Sequence, residues 1–209
     1  MKKTLFLILL SFIVSFCLSF VTLAYTLYPY GGSYSSPPLY KYYWNGITSI
    51  SGINTSQEVA NAVGRWNNTD NTKVWFYKTS TQSQSILDFH QDSHWDTNTL
   101  GETFMYNGNT RIYPKSSSTD WYWAKVVMTS NANWKDERNT FKYSNGSPNP
   151  NYYFSYVVAH EIGHALGLAH TNNNFELMYT DTTPFFADRI IGPTYLDANG
   201  VRAIYGPLN

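Results

Sequence analysis

The chain of 209 residues contains one cysteine, Cys17, and it lies inside an apolar N-terminal stretch. Everything beyond residue 24 is therefore free of thiols, which excludes disulfides there and any zinc site built on thiolate. Charge is scarce too: 14 Lys and Arg balance 14 Asp and Glu, and only 13% of residues are charged. No basic run or patch offers the electrostatic footprint that nucleic acid requires, so nucleic acid is not expected as a partner. Internal repeats and inter-domain linkers are absent as well. The length suits one domain with a proper core and is too short for two. What is present is neutral-polar and aromatic, with 18 Tyr and 7 Trp, and with Asn, Ser and Thr in place of Lys and Glu. That composition is common in secreted proteins.

The N-terminus agrees with export. Lys2 and Lys3 form a short positive region, Leu5 to Ala24 is apolar and uncharged, and Thr22-Leu23-Ala24 offers a small-residue cleavage site. Residues 1–24 are read as a signal peptide, with the mature chain starting at Tyr25. An uncleaved anchor is the alternative, since roughly 20 apolar residues span a bilayer. Ser11, Ser15, Ser19 and Thr22 weaken it. In either case the positive end stays inside and the remainder lies outside. After cleavage no membrane contact is expected, and the mature protein is expected to be an extracellular monomer. A lipoprotein at Cys17 is opposed by Phe16, where a small residue is needed. Residues 25–46 are rich in Tyr, Pro, Gly and Ser, with Lys41 as their only charge. They are either a short pro-segment or a strand lead-in that packs its tyrosines on the domain formed by residues 47–209.

Eleven residues carry the chemistry: His160-Glu161-Ile162-Gly163-His164-Ala165-Leu166-Gly167-Leu168-Ala169-His170. His160 and His164 are spaced i, i+4, so a helix projects both imidazoles from one face. Neutral imidazoles suit Zn²⁺, which takes about four ligands and in catalytic sites keeps one position open. Glu161 follows the first histidine, where its carboxylate reaches a metal-activated water without binding the metal. Gly167, lacking Cβ, ends the helix in a left-handed conformation and swings the chain so that His170 supplies the third ligand. From this chain's own composition, the five fixed positions coincide by chance about a few times per million such chains, so the zinc reading is preferred to accident.

The remaining pattern implies one α+β domain. Thr55-Ser56-Gln57-Glu58 reads as a capping box opening a helix through Val59, Ala60, Ala62, Val63 and Trp66, ended by Asn67-Asn68. Strand character follows at 72–78, 85–89, 100–106, 111–114 and 121–129. Asn149-Pro150 reads as the start of a helix that runs to about Leu166. Its stripe of Val158, Ile162, Ala165, Leu166 and Ala169 is expected to be buried, with the two histidines on the other side. A last helix is expected from about Leu196 to Ile204, ending at Gly206-Pro207.

The extended zinc motif, followed by Phe175-Glu176-Leu177-Met178-Tyr179, resembles the metzincin metallopeptidases. Thr171 after the third histidine, the wording Leu-Met-Tyr, and the ending Asp197-Ala198-Asn199-Gly200-Val201-Arg202-Ala203-Ile204-Tyr205-Gly206 are most similar to a matrixin. Leu100-Gly101-Glu102-Thr103 resembles the edge-strand segment of short prokaryotic members. The resemblance implies a twisted mixed sheet with an active-site helix and a C-terminal helix. It implies a turn at Met178 beneath the zinc, and one catalytic Zn²⁺ on His160, His164 and His170. It also implies a protein or peptide substrate.

Three departures stand out. Without a cysteine before the domain, thiolate latency of the kind found in many matrixins is excluded. His90 and His94 are the histidines left over; they are read as surface-loop residues, against a second metal site shared with Asp88, Asp92 and Asp96. Ca²⁺ on those aspartates is the other option the segment leaves open. Thr183-Pro184-Phe185-Phe186 stands where a Pro-x-Tyr pocket wall is usual, so Tyr179, Phe185 and Phe186 are taken as candidate substrate-pocket residues. The expected activity is a secreted zinc endopeptidase with Glu161 as general base. The rivals are a silent zinc-binding or adhesive module of the same fold, which an intact Glu161 opposes, and hydrolysis of a non-peptide amide.

Overall fold

A computed structural model describes residues 25–29, 31–93, 99–137, 151–182 and 190–208. A six-stranded sheet is built from β1 (Lys41–Asn45), β2 (Phe76–Thr79), β3 (Leu87–Asp92), β4 (Gly101–Asn107), β5 (Thr110–Ile112) and β6 (Trp123–Thr129). The strand order is β2-β1-β3-β6-β4-β5. The first four strands in that order run parallel, while β4 is antiparallel to both β6 and β5. The expected mixed sheet of an α+β domain is therefore present. Helix α1 (Thr55–Asn67) makes the crossover between the parallel pair β1 and β2.

Helix α1 packs on helix α2 (Phe154–Ala165), and α2 lies against β4 and β6 on one face of the sheet. Val59, Ala62, Val63 and Trp66 of α1 are buried there with Leu87, Phe89, Met105, Ala124, Val126 and Met128 of the sheet. Trp66 also donates from Nε1 to the carbonyl of Ala159 at 2.8 Å, which fixes α1 to the turn that precedes His160. On the opposite face, Tyr106 stacks on Trp123 with ring centroids 4.2 Å apart, and the Arg111 guanidinium lies 4.2 Å from the centre of the Phe104 ring.

Several boundaries differ from the sequence expectation. The N-cap of α1 is Asn54, whose side chain accepts from Gln57 N, so the cap lies one residue before Thr55. Strand β2 is Phe76–Thr79, shorter than expected, although Trp75 just before it still bonds to the β1 side, donating from N to Pro38 O and accepting at O from Lys41 N. Strand β5 stops at Ile112, since Pro114 has no N–H to extend pairing. Strand β1 falls within residues 25–46, for which a strand lead-in was one of the two readings.

The larger correction concerns α2. Its first turn begins at Phe154, because Asn151–Tyr153 forms strand β8, parallel to β7 (Asn133–Lys135). Trp134 packs edge-on against Tyr152 and Phe154, and this aromatic contact holds the short pair together. Residues 149 and 150 lie outside the described set. Nor is α2 one-sided: Val158, Ile162, Ala165 and Leu166 are buried as expected, but so are His160 and Glu161. Helix α3 (Tyr195–Tyr205) closes the chain, with Thr194 and Asp197 forming a capping box and Gly206 ending it at φ +76°.

Candidate active site

The local geometry of the site follows from one glycine. Gly167 has φ +100°. Its N–H donates to His164 O, and Leu168 N donates to Gly163 O, both at 3.0 Å. This pair of bonds is a Schellman ending, which satisfies two helix carbonyls while the chain reverses. Trp121 Nε1 donates to Ala165 O at 3.0 Å, and the Tyr205 hydroxyl donates to Leu166 O at 3.0 Å. The last carbonyls of α2 are thus fully used, and the chain leaves toward His170.

The turn brings the three histidines together. His170 Nε2 lies 3.1 Å from His160 Nε2 and 3.0 Å from His164 Nε2. His160 Nδ1 faces Leu177 O at 2.7 Å, and His164 Nδ1 faces Leu168 O at 2.8 Å. A ring nitrogen facing a carbonyl carries the proton, so the Nε2 atoms of both rings are bare acceptors. A proton on His170 Nε2 satisfies only one of them. Burial also holds all three histidines below their usual pKa, His160 at about 4. Three neutral imidazoles aimed at a common point are a donor set that fits a divalent cation such as Zn²⁺.

Glu161 is 5% exposed and lies under the sheet edge. Thr103 Oγ1 donates to Glu161 Oε2 at 2.7 Å. Burial pushes the Glu161 carboxyl up to about 7, against the opposing effect of that hydrogen bond. Gly101 is required at this edge: a Cβ there would come within 2.9 Å of Glu161 Cγ. A similar close approach occurs beneath the site, where a Cβ on Gly163 would collide with Met178 Sδ. Met178 is buried, and its carbonyl accepts from Thr171 N at 2.9 Å.

Two cavities meet at this centre. One, of about 470 Å³, is lined by Tyr28, Met105, Lys115 and His164 among others; the second, of about 370 Å³, by Tyr152, Val157, His160 and Tyr179. They share Gly101, Glu161 and His170, so a groove passes both sides of the carboxyl. Strand β4 pairs with β5 only through Met105 to Asn107, so the outer edge of Gly101 to Phe104 has no neighbouring strand among the described residues.

This geometry agrees with the comparisons to known proteins. The profile of the matrixins, a peptidase family, matches residues 40–206. The chain belongs to the matrixin family. Interstitial collagenase B of Mus musculus is 39% identical over 59 residues, which are 28% of this matrixin and 12% of the collagenase. A probable matrix metalloproteinase of Invertebrate iridescent virus 3 is 47% identical over 51 residues, 24% of the chain and 13% of that protein. Stromelysin-1 of Equus caballus is 33% identical over 112 residues, 51% of the chain and 20% of the stromelysin. The matches thus span a fifth or less of each relative's length.

Of the residues singled out from sequence, the matrixin fold brings together His160, Glu161, His164 and His170, with Met178 below and Tyr179 on the second cavity. Phe185, Phe186 and His94 lie outside the described residues, as does Asp96. His90 is not a loop residue: it lies in β3, half-buried beside Trp44 and about 4 Å from Asp88. Sequence reasoning missed Tyr28, Thr103 and Asp197. Asp197 was visible as Thr194-x-x-Asp197, a capping-box pattern, and Thr103 only as a member of the edge-strand segment; Tyr28 had no signal.

Proposed function

We propose that this matrixin is a secreted zinc endopeptidase in which His160, His164 and His170 hold the ion through Nε2 and Glu161 moves the proton. The observation that carries the reading is the convergence of the Nε2 atoms of His160 and His164 on His170 Nε2, at 3.1 and 3.0 Å, beside the buried Glu161 carboxyl. When bound, the ion lowers the pKa of a water molecule toward ~7 and polarises a carbonyl oxygen. Glu161 takes the proton released as that water attacks the scissile carbonyl, and returns it to the leaving amine. Thr103 keeps Glu161 aimed along the groove.

The open edge of Gly101 to Phe104 supports a peptide in extended form, because an unpaired strand edge accepts one more strand through main-chain hydrogen bonds. Side chains on either side of the cleaved bond then fall into the two cavities. Relatives named collagenase and matrix metalloproteinase support peptide-bond hydrolysis. Export rests on Lys2, Lys3 and the apolar stretch to Ala24. Among the described residues no helix is long and apolar enough to cross a membrane.

The test is a digest of an unfolded protein mixture by the purified chain beside Glu161→Ala, with new termini read by mass spectrometry. The wild type is expected to cut and the variant not, and the termini give the residue preference. A wild type that holds one zinc per chain yet leaves the mixture intact sinks the endopeptidase reading.

A further inference from the structure

We propose that Tyr28 is a positioning residue for His164, and that residues 26–29 and 31–35 are working parts of the catalytic centre rather than a detachable pro-segment. The inference rests on the zinc reading above. Tyr28 is 7% exposed, and its hydroxyl lies 3.2 Å from His164 Nδ1. The Nδ1 proton that Leu168 O accepts is therefore shared with a second acceptor, and the ring is held from two directions. Such partners on the far nitrogen fix the tautomer and the aim of Nε2. Tyr28 is itself held, edge-on to Trp121 at 6.4 Å. Its hydroxyl makes no other hydrogen bond among the described residues, so its own proton is free for an occupant of the cavity that Tyr28 lines with Glu161 and His170.

The backbone on either side of Tyr28 is woven into the site. Leu27 forms an antiparallel bridge with Leu168, and Ala169 N, next to His170, donates to Thr26 O at 2.9 Å. Further along, Trp121 N donates to Ser33 O and Ser35 N to Trp121 O, each at 2.9 Å. The Tyr205 hydroxyl sits 3.1 Å from Tyr34 N, and the Tyr34 hydroxyl donates to Ile86 O. These contacts brace the Gly167 turn between the second and third histidines. A segment that leaves on activation would take that brace with it.

The experiment uses the full chain with Tyr28→Phe, which keeps the ring packing and removes only the hydroxyl. Zinc affinity is measured by chelator competition, with kcat, KM and the melting temperature of the metal-free chain. Zinc is expected to bind about tenfold more weakly, with kcat reduced, KM within about twofold, and the metal-free melt unchanged. Wild-type zinc affinity in the variant overturns the positioning role, whatever happens to activity. The mass of the active species tests the segment: its N-terminus is expected at or before Thr26, and an active form that begins after Thr26 overturns the inference. A wild type that binds no zinc removes the underlying reading instead, so the two failures are told apart.

Discussion

His160 and His164 sit one helical turn apart, yet they are held in opposite ways. His164 is oriented by Leu168 O, four residues on and inside the turn that Gly167 makes. His160 is oriented by Leu177 O, seventeen residues on. That carbonyl is placed in turn by α3, because Leu177 N donates to the buried Asp197 carboxylate at 3.1 Å. The same carboxylate caps α3 through Thr194. His164 thus takes its carbonyl partner from a local turn, with Tyr28 as a second and distant contact, whereas the carbonyl that His160 faces is held by the closing helix. Damage to either support is expected to appear as weaker zinc binding, but through different residues.

A baseline comes from removing the chemistry while leaving both supports in place. Glu161→Gln retains an oxygen that accepts from Thr103, so the fold and zinc binding are expected to persist while kcat falls about 10²- to 10⁴-fold. Steady-state kinetics with metal analysis checks this; a loss of zinc along with activity would contradict the assigned role.

The same variant has a pH signature in the metal-free chain. The folded Glu161 carboxyl, at about 7, holds its proton more tightly than the unfolded one at 4.5. Its contribution to stability is therefore full below 4.5 and is lost as pH rises through 7. Glu161→Gln removes that loss. Melts are expected to coincide near pH 4 and to favour the variant above pH 7 by on the order of 3 kcal/mol. Equal melts at pH 8 would mean that burial does not penalise the ionised carboxylate.

Breaking the remote support comes next in size. Asp197→Ala removes a helix cap and leaves the buried Leu177 N–H without its acceptor, costing about 2–3 kcal/mol in total. Zinc affinity should fall with stability, because Leu177 O is then free to drift from His160. Asp197→Asn retains an acceptor oxygen and should lose less on both counts. If Asp197→Ala destabilises the chain with zinc affinity intact, the long-range path to His160 is not used.

That asymmetry explains what was legible in the sequence. His164, Gly167 and His170 could be read directly, because helix period and one glycine's backbone freedom determine where they go. The convergence of the three histidines was therefore foreseen, and the fold class with it. The start of α2 was misjudged because Asn149-Pro150 gives a local start signal, while pairing of Tyr152 with Trp134 across eighteen residues draws the chain into a strand. Tyr28, Thr103 and Leu177 O reach the site from segments 136, 58 and 17 residues away. No local pattern encodes such contacts; they arise only when the sheet and α2 pack.

The smallest effect is expected from the local support. Gly167→Ala forces a side chain into a left-handed conformation, costing about 1–2 kcal/mol, and its Cβ would approach Ile204 Cδ1 to 2.9 Å. The Ile204 side chain ends there and can turn aside, so strain in the backbone dominates. Zinc held as proposed would draw His164 and His170 together across this turn, and would therefore oppose the strain. Saturating zinc should recover part of the lost melting temperature in Gly167→Ala and less of it in Asp197→Ala, whose fault lies further from the ion. Equal recovery in both variants would mean that the two supports act as one unit, and the contrast between the histidines would not hold.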